Sequence, residues 1–252
     1  MKHINIIGIG TGNPEHLTIQ AINAMNAADV VFLPVKGVGK EELAEIRRDI
    51  CDRYITRPAG RISEFAVPQR QTADKTYVQS VDAWHGEIAR IYAELISGLP
   101  DDGSGAFLVW GDPSLYDSTI RIIERVRQES SLDFDYSVIP GITSIQALAA
   151  SHRIPVNLVG KPIEITTGRR LAQDGLLTDS TVVMLDGEQA FAKIDDPDAE
   201  IFWGAYLGTA DELLVAGKVS EVMDEIDSKR REAQARNGWI MDTYMIRKPQ
   251  AD

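Results

Sequence analysis

Cysteine is almost missing. Cys51 is the only one in 252 residues, which excludes an intrachain disulfide framework and any site built from several thiolates. The four histidines, His3, His16, His85 and His152, show no H-E-x-x-H or H-x-x-x-H spacing, so nothing in the pattern points to a metal. No apolar run approaches the ~18 residues of a membrane span. The opening Met1-Lys2-His3-Ile4-Asn5-Ile6-Ile7-Gly8 is too briefly apolar for a secretory signal, and a soluble cytoplasmic protein is expected. Positive charge is in deficit: 26 Lys and Arg against 38 Asp and Glu give a net charge of −12. That field disfavours nucleic acid and anionic membrane as general partners, while leaving room for an anionic small molecule held by local Arg and Lys.

What the chain does have is a core. Its hydrophobic fraction of 44% excludes disorder along most of its length, and at ~150 residues per domain it makes one large domain or two small ones. Short β-branched runs alternate with longer amphipathic segments, the pattern of an α/β architecture. Strands are expected at residues 4–9, 30–35, 62–67, 106–110, 136–139, 163–166, 181–185, 201–206 and 239–246. Helices are expected at 17–26, 41–53, 77–97, 120–128, 145–150 and 217–236. The densest turn chemistry lies at 111–118 and suggests a division into domains 1–114 and 115–252.

Three glycine-bearing turns each follow a strand. Gly8-Ile9-Gly10-Thr11-Gly12-Asn13-Pro14 has glycines that permit positive φ and close ligand approach. It is not the dinucleotide fingerprint G-x-G-x-x-G: the third glycine falls at 12, and no acidic residue closes strand 30–35. An ordinary tight βα turn is the plainer reading. The second turn, Gly111-Asp112-Pro113-Ser114-Leu115-Tyr116, puts backbone amides and one carboxylate at the carboxyl edge of a sheet, where open α/β sheets bind ligands; Asp112 would equally serve as a local cap. The third, Pro140-Gly141-Ile142-Thr143-Ser144, opens a helix that Thr143 or Ser144 can cap. No G-x-S-x-G elbow or phosphate loop occurs, since Gly37-Val38-Gly39-Lys40 is too short and ends in Glu41. Lys229-Arg230-Arg231 is neutralised by Asp224, Glu225, Asp227 and Glu232 and reads as an exposed helix face. Trp84, Tyr92, Trp203 and Trp239 read first as core aromatics.

In this order and spacing the three turns resemble the tetrapyrrole (precorrin) methylases, whose pattern runs G-x-G-P-G-x-x-x-L-T, then G-D-P, then P-G-x-T-S. The matching residues are Gly8, Gly10, Gly12, Pro14, Leu17 and Thr18; Gly111, Asp112 and Pro113; and Pro140, Gly141, Thr143 and Ser144. Thr181–Leu185 looks like the family's middle strand and Gly208-Thr209 like its Gly-Thr turn. The chain departs from the pattern at Asn13, where many members have aspartate, and at Leu185-Asp186-Gly187, where many have Tyr-Met-Gly.

The resemblance implies two α/β domains with a ligand cleft between them, a homodimer, and S-adenosylmethionine as cofactor. Ala66-Val67-Pro68-Gln69-Arg70, the Tyr77…Trp84-His85 helix and Thr166-Thr167-Gly168-Arg169-Arg170 are most similar to members that methylate ring carbon 1 of precorrin-5 with loss of acetate. Cofactor contacts are then implied at Pro14, Gly111, Asp112, Tyr116, Thr143, Ser144, Leu185, Trp203, Gly204 and Ala205. Gly10 and Gly12 would shape the loop facing the macrocycle. Acetate release calls for a base, with His85 and Asp112 as catalytic candidates and Asp186 as a third. The substrate's carboxylates need guanidinium partners, chosen from Arg57, Arg61, Arg70, Arg153, Arg169 and Arg170 with Arg70 and Arg169 foremost. The alternatives are another precorrin methylase, a diphthine synthase-like methylase, or a nucleotide-binding oxidoreductase.

Overall fold

The computed structural model describes residues 1–35, 41–56, 62–71, 76–196 and 198–249. The chain forms two compact units, Met1–Ile142 and Thr143–Asp252.

The first unit alternates strands β1 (Lys2–Gly8), β2 (Val30–Val35), β3 (Ile62–Ala66), β4 (Ser104–Val109) and β5 (Phe134–Ile139) with helices α1 (Ile19–Ala27), α2 (Glu41–Tyr54), α3 (Tyr77–Ser97) and α4 (Thr119–Glu129). All pairings are parallel, in the order β3-β2-β4-β1-β5. The path moves one way from β1 to β3 and then back through β4 to β5. Because crossovers are right-handed, that reversal sends helices to opposite faces. Ile7, Ile9, Val31, Leu33, Ala106 and Leu108 accordingly pack with Ala21, Met25 and Ile50 of α1 and α2. Ile4, Ile6, Phe32, Phe107 and Val109 pack with Ile88, Tyr92, Ile96, Ile122 and Ile123 of α3 and α4. Ala106–Val109 is a continuous apolar run, and Ile4–Ile9 is interrupted only by Asn5 and Gly8, because both faces of these strands are covered. Helix starts follow their capping chemistry: Thr18 Oγ1 accepts from the Ala21 N–H, and Thr76 and Gln79 form a reciprocal capping box.

The second unit contains α5 (Ser144–His152), β6 (Ile163–Thr167), α6 (Gly168–Asp174), β7 (Ser180–Met184), β8 (Glu200–Ala205), β9 (Leu213–Lys218), α7 (Val219–Asn237) and β10 (Asp242–Arg247). Its sheet runs β6-β7-β10-β8-β9, with only β6 and β7 parallel.

Three expectations are corrected. The division falls after Ile142 rather than at 114, because β5 pairs parallel with β1 along Lys2–Ile7 and so completes the first sheet. Residues 213–218, left without an element or assigned to the start of a helix, form strand β9 against β8. Helix α6, within a segment read only as a motif, begins directly after β6.

Candidate functional site

At the carboxyl ends of β1, β4 and β5 the three turns meet. Gly10 and Gly111 pair as an isolated antiparallel bridge: the Gly10 N–H donates to the Gly111 carbonyl at 3.2 Å, and the Gly111 N–H to the Gly10 carbonyl at 2.8 Å. A Cβ added to Gly141 would lie 2.1 Å from the Gly111 carbonyl oxygen and 2.8 Å from the Gly8 carbonyl carbon. Gly8 and Gly141 are therefore required by backbone packing on backbone. Gly10 and Gly111 also take φ of +76° and +68°, where a side chain is strained.

Asp112 joins the turns. Its Oδ2 accepts from the Gly141 N–H at 2.8 Å, and its Oδ1 accepts from the Ser114 N–H at 2.8 Å and from the Ser114 hydroxyl. Burial alone would raise its pKa, but the Ser114 hydroxyl and the two N–H donors outweigh that and hold the carboxyl below its ordinary value. At the first turn, Asn13 keeps the acceptor that aspartate would provide: its Oδ1 takes the Glu15 N–H at 2.9 Å, with Pro14 opening a short 3-10 turn. The departure from the family pattern costs no hydrogen bond. Gly12 takes φ +130° in the same loop. Tyr116 follows the second turn in the left-handed region at φ +51° with its side chain half-exposed, a conformation that surroundings must impose on a tyrosine.

His85 stands on α3, ring to ring with Trp84 at 5.5 Å. Partial burial and the neighbouring Arg121 and Arg125 lower its pKa against the opposing pull of Asp82 and Asp117. Arg70 stacks on Tyr77 at 5.1 Å, while Arg57 and Arg61 lie outside the described residues. Reading from sequence missed Arg47, whose guanidinium lies 5.9 Å from the Trp110 ring at the end of β4 and whose pKa is lowered by burial. A single arginine in a charged helix carries no signal of that placement.

In the second unit Thr143 caps α5, accepting from the Ile145 N–H and bonding Gln146, and the Ser144 hydroxyl accepts from Thr243 at 3.1 Å. Arg153 closes that helix in the left-handed region, and Arg170 pairs with Asp174. Leu185 is 68% exposed at φ +54°. It lines a cavity of about 400 Å³ with Gly168, Arg169, Asp186, Gly187 and Lys193. Trp203, Gly204 and Ala205, expected as cofactor contacts, lie on β8. Trp203 and Ala205 are fully buried, and the Trp203 indole N–H donates to Asp242 at 3.0 Å. A Cβ on Gly204 would press on Leu207 and Leu148, and β8 is paired along both edges. All three are buried.

Among the described residues no helix is long and apolar enough to cross a membrane. A family model for tetrapyrrole (corrin/porphyrin) methylases matches residues 3–223, and the chain belongs to that family. It is similar to a precorrin-6A synthase (deacetylating) of a Sinorhizobium species, 62% identical over 250 residues, 98% of this chain and 96% of that one. Among solved structures it is similar to the cobalamin-synthesis-related protein CobF of Corynebacterium diphtheriae: TM-score 0.86, 40% identity, 99% of this chain and all of that one. A Thermus thermophilus uroporphyrin-III C-methyltransferase complexed with S-adenosyl homocysteine shares the fold at TM-score 0.60 and 16% identity, over 97% of this chain and 96% of that one.

Proposed function

We propose that the chain is an S-adenosylmethionine-dependent C-methyltransferase of corrin-ring biosynthesis that methylates ring carbon 1 of precorrin-5 and releases acetate, giving precorrin-6A. One observation carries the reading: three turns from distant parts of the chain, two of them bridged and the third latched by Asp112, meet at one edge of the sheet. The likeness to a precorrin-6A synthase over nearly the whole chain selects the substrate.

The residues fit the donor. An added Cβ on Gly111 would meet nothing within 4 Å, so the backbone there stands open beside a carboxylate, the cradle a sugar-bearing ligand needs. When bound, S-adenosylmethionine supplies an electrophilic methyl on a sulfonium whose sulfur keeps the bonding pair as the methyl passes to the ring carbon. The protein's task is alignment, an effect that reaches about 7–11 kcal/mol in ideal intramolecular cases. This explains why the matched positions are glycines and hydroxyls and not a nucleophilic triad. Pro14, Gly111, Asp112, Tyr116, Thr143, Ser144 and Leu185 are the donor contacts of this reading. Gly10, Gly12, Arg70 and Arg169 face the macrocycle and its carboxylates.

Acetate loss needs a water oxygen to add to the acetyl carbon while the breaking C–C bond's electron pair passes into the macrocycle. A base must take the water's proton. Asp112 and Asp186 are poorly suited, because each carboxylate already accepts from three donors. His85, with its lowered pKa, presents a neutral imidazole at pH 7 and is the candidate. A homodimer and a cytoplasmic setting belong to the same reading; exposed Ile163 and Ile165 on edge strand β6 support the former.

The test is the mass of precorrin-5 after incubation with the protein and the methyl donor. One methyl gained with one acetyl unit lost is expected. Methyl gained with the acetyl retained would make this a different precorrin methylase, and no methyl transfer at all would overturn the reading.

A further inference from the structure

In the second unit, the loop after β7 is gripped from beneath by a buried ion pair. Arg230 on α7 and Asp242 on β10 meet at 3.0 Å, with side chains only 12% and 9% exposed. The Asp242 oxygen that takes the Arg230 Nε–H also takes the Trp203 indole N–H. The guanidinium has a second reach: Nη2 donates at 3.2 Å to the carbonyl of Asp186, one residue beyond Leu185. The Asp186 carboxylate in turn accepts from Glu188 N–H at 3.0 Å, Ala190 N–H at 2.7 Å and the Tyr244 hydroxyl at 2.5 Å. Gln189 donates to Asp227, also on α7, at 2.9 Å. The loop is thereby tied at its peptide, its carboxylate and its far end.

The backbone shows why such holding is needed. Leu185 and Gln189 have φ of +54° and +55°, a region that non-glycine residues occupy only where their surroundings impose it. Asp186 and Glu188, two of the tethered residues, sit between the two. Leu185 itself is thrust outward, 68% exposed and lining the neighbouring cavity. A large apolar side chain held in a strained backbone and kept in solvent serves no packing purpose.

We propose that Arg230 is a positioning residue, which through Asp242 and the Asp186 carbonyl holds the Leu185–Ala190 loop so that Leu185 is presented to the methyl donor. This rests on the assignment of Leu185 as a donor contact. A guanidinium suits the task because its planar fork reaches a carboxylate and a carbonyl at once, which an ammonium does not reproduce.

Arg230→Met leaves a buried carboxylate unpaired and risks unfolding, so Arg230→Lys is the informative variant. It keeps the charge beside Asp242 and gives up the second bond. Amide exchange, read by mass spectrometry on peptides covering 186–190, should quicken about tenfold in Arg230→Lys, the order expected for one charged hydrogen bond, with β7 amides unchanged. S-adenosylhomocysteine affinity, measured by calorimetry, should weaken about as much, with the melting transition retained. Unchanged exchange would overturn the clamp. Faster exchange with unchanged affinity would overturn its role toward the donor. Wild-type protein that binds no S-adenosylhomocysteine would instead overturn the proposed function, and the exchange result would still judge the clamp.

Discussion

Gly141→Ala tests whether the three turns meet as described. Its new Cβ would sit 2.1 Å from the Gly111 oxygen, 2.8 Å from the Gly8 carbonyl carbon and 2.9 Å from the Gly8 Cα, where ordinary contact lies at roughly 3.5 Å. All three obstacles are backbone atoms, so no rotamer change relieves them, and β1, β4 or β5 must shift. Overpacking a core costs ~1–3 kcal/mol and occasionally more; with no flexible neighbour the upper end applies, about 3 kcal/mol. For a unit of this size that lowers Tm by ~10 °C. Gly8→Ala drives its Cβ to 2.6 Å from the Gly141 nitrogen and 2.8 Å from the Gly111 oxygen and should cost nearly as much. Because both substitutions force the same turns apart, the double variant should melt well above the additive expectation. Two glycines serve as controls in the same thermal scan. Gly238 has open space but lies in the left-handed region at φ +72°, so Gly238→Ala should cost ~1 kcal/mol. Gly187 has neither obstacle nor positive φ, and Gly187→Ala should stay within ~0.5 kcal/mol. A Gly141→Ala protein melting like wild type, or a strictly additive pair, would refute the convergence.

Asp112→Asn should weaken S-adenosylhomocysteine binding and cost ~1.5–3 kcal/mol, since the amide cannot accept both the Gly141 N–H and the Ser114 donors. Because the folded carboxyl lies below its ordinary 3.8, its contribution is complete above that value and is lost as pH falls through the folded pKa; the gap between wild type and variant in acid melts should close only there. The His85 ring should titrate by NMR below its ordinary 6.5, so the unfolded chain binds the extra proton and stability falls as pH drops below 6.5. His85→Ala should release acetate more slowly than it transfers methyl; equal slowing of both, or of neither, would remove His85 from the acetate step. The Cys51 thiol, pushed up to about 12 chiefly by burial, should resist alkylation at pH 8 until the protein is denatured, as mass spectrometry would read.

Much of the first unit was legible because its signals are local. Ile4–Ile9 and Ala106–Trp110 announce strands covered on both faces, and Thr18 and Thr76 cap helices with their own hydroxyls. The convergence of the turns was legible for a different reason. Glycine at positions 8 and 141 answers a contact between distant segments and at 10 and 111 a positive φ, and such needs in a fixed order leave a spaced pattern in the chain. The domain division was misplaced by the same chemistry. Residues 111–118 are rich in turn formers because the chain reverses at the end of β4 to meet the turns after β1 and β5, and a linker needs them too, so composition alone does not tell the two apart.

The second unit shows where local signals fail. Strand β9 runs into α7 with no connecting loop, Lys218 ending one and Val219 opening the other, and its pairing is settled by β8 beside it rather than by its own residues. Trp203 carries the same letters whether it faces a ligand or the core; the carboxylate that buries its indole N–H lies 39 positions away. Arg230 and Asp242 are two charges among the 64 of this chain, and only the reversal at Gly238, with φ +72°, sets α7 against β10. A polar group becomes informative when its surroundings leave it no water. That is a property of the packed sheet, so the groups that hold Leu185 in place are visible only after the fold is built.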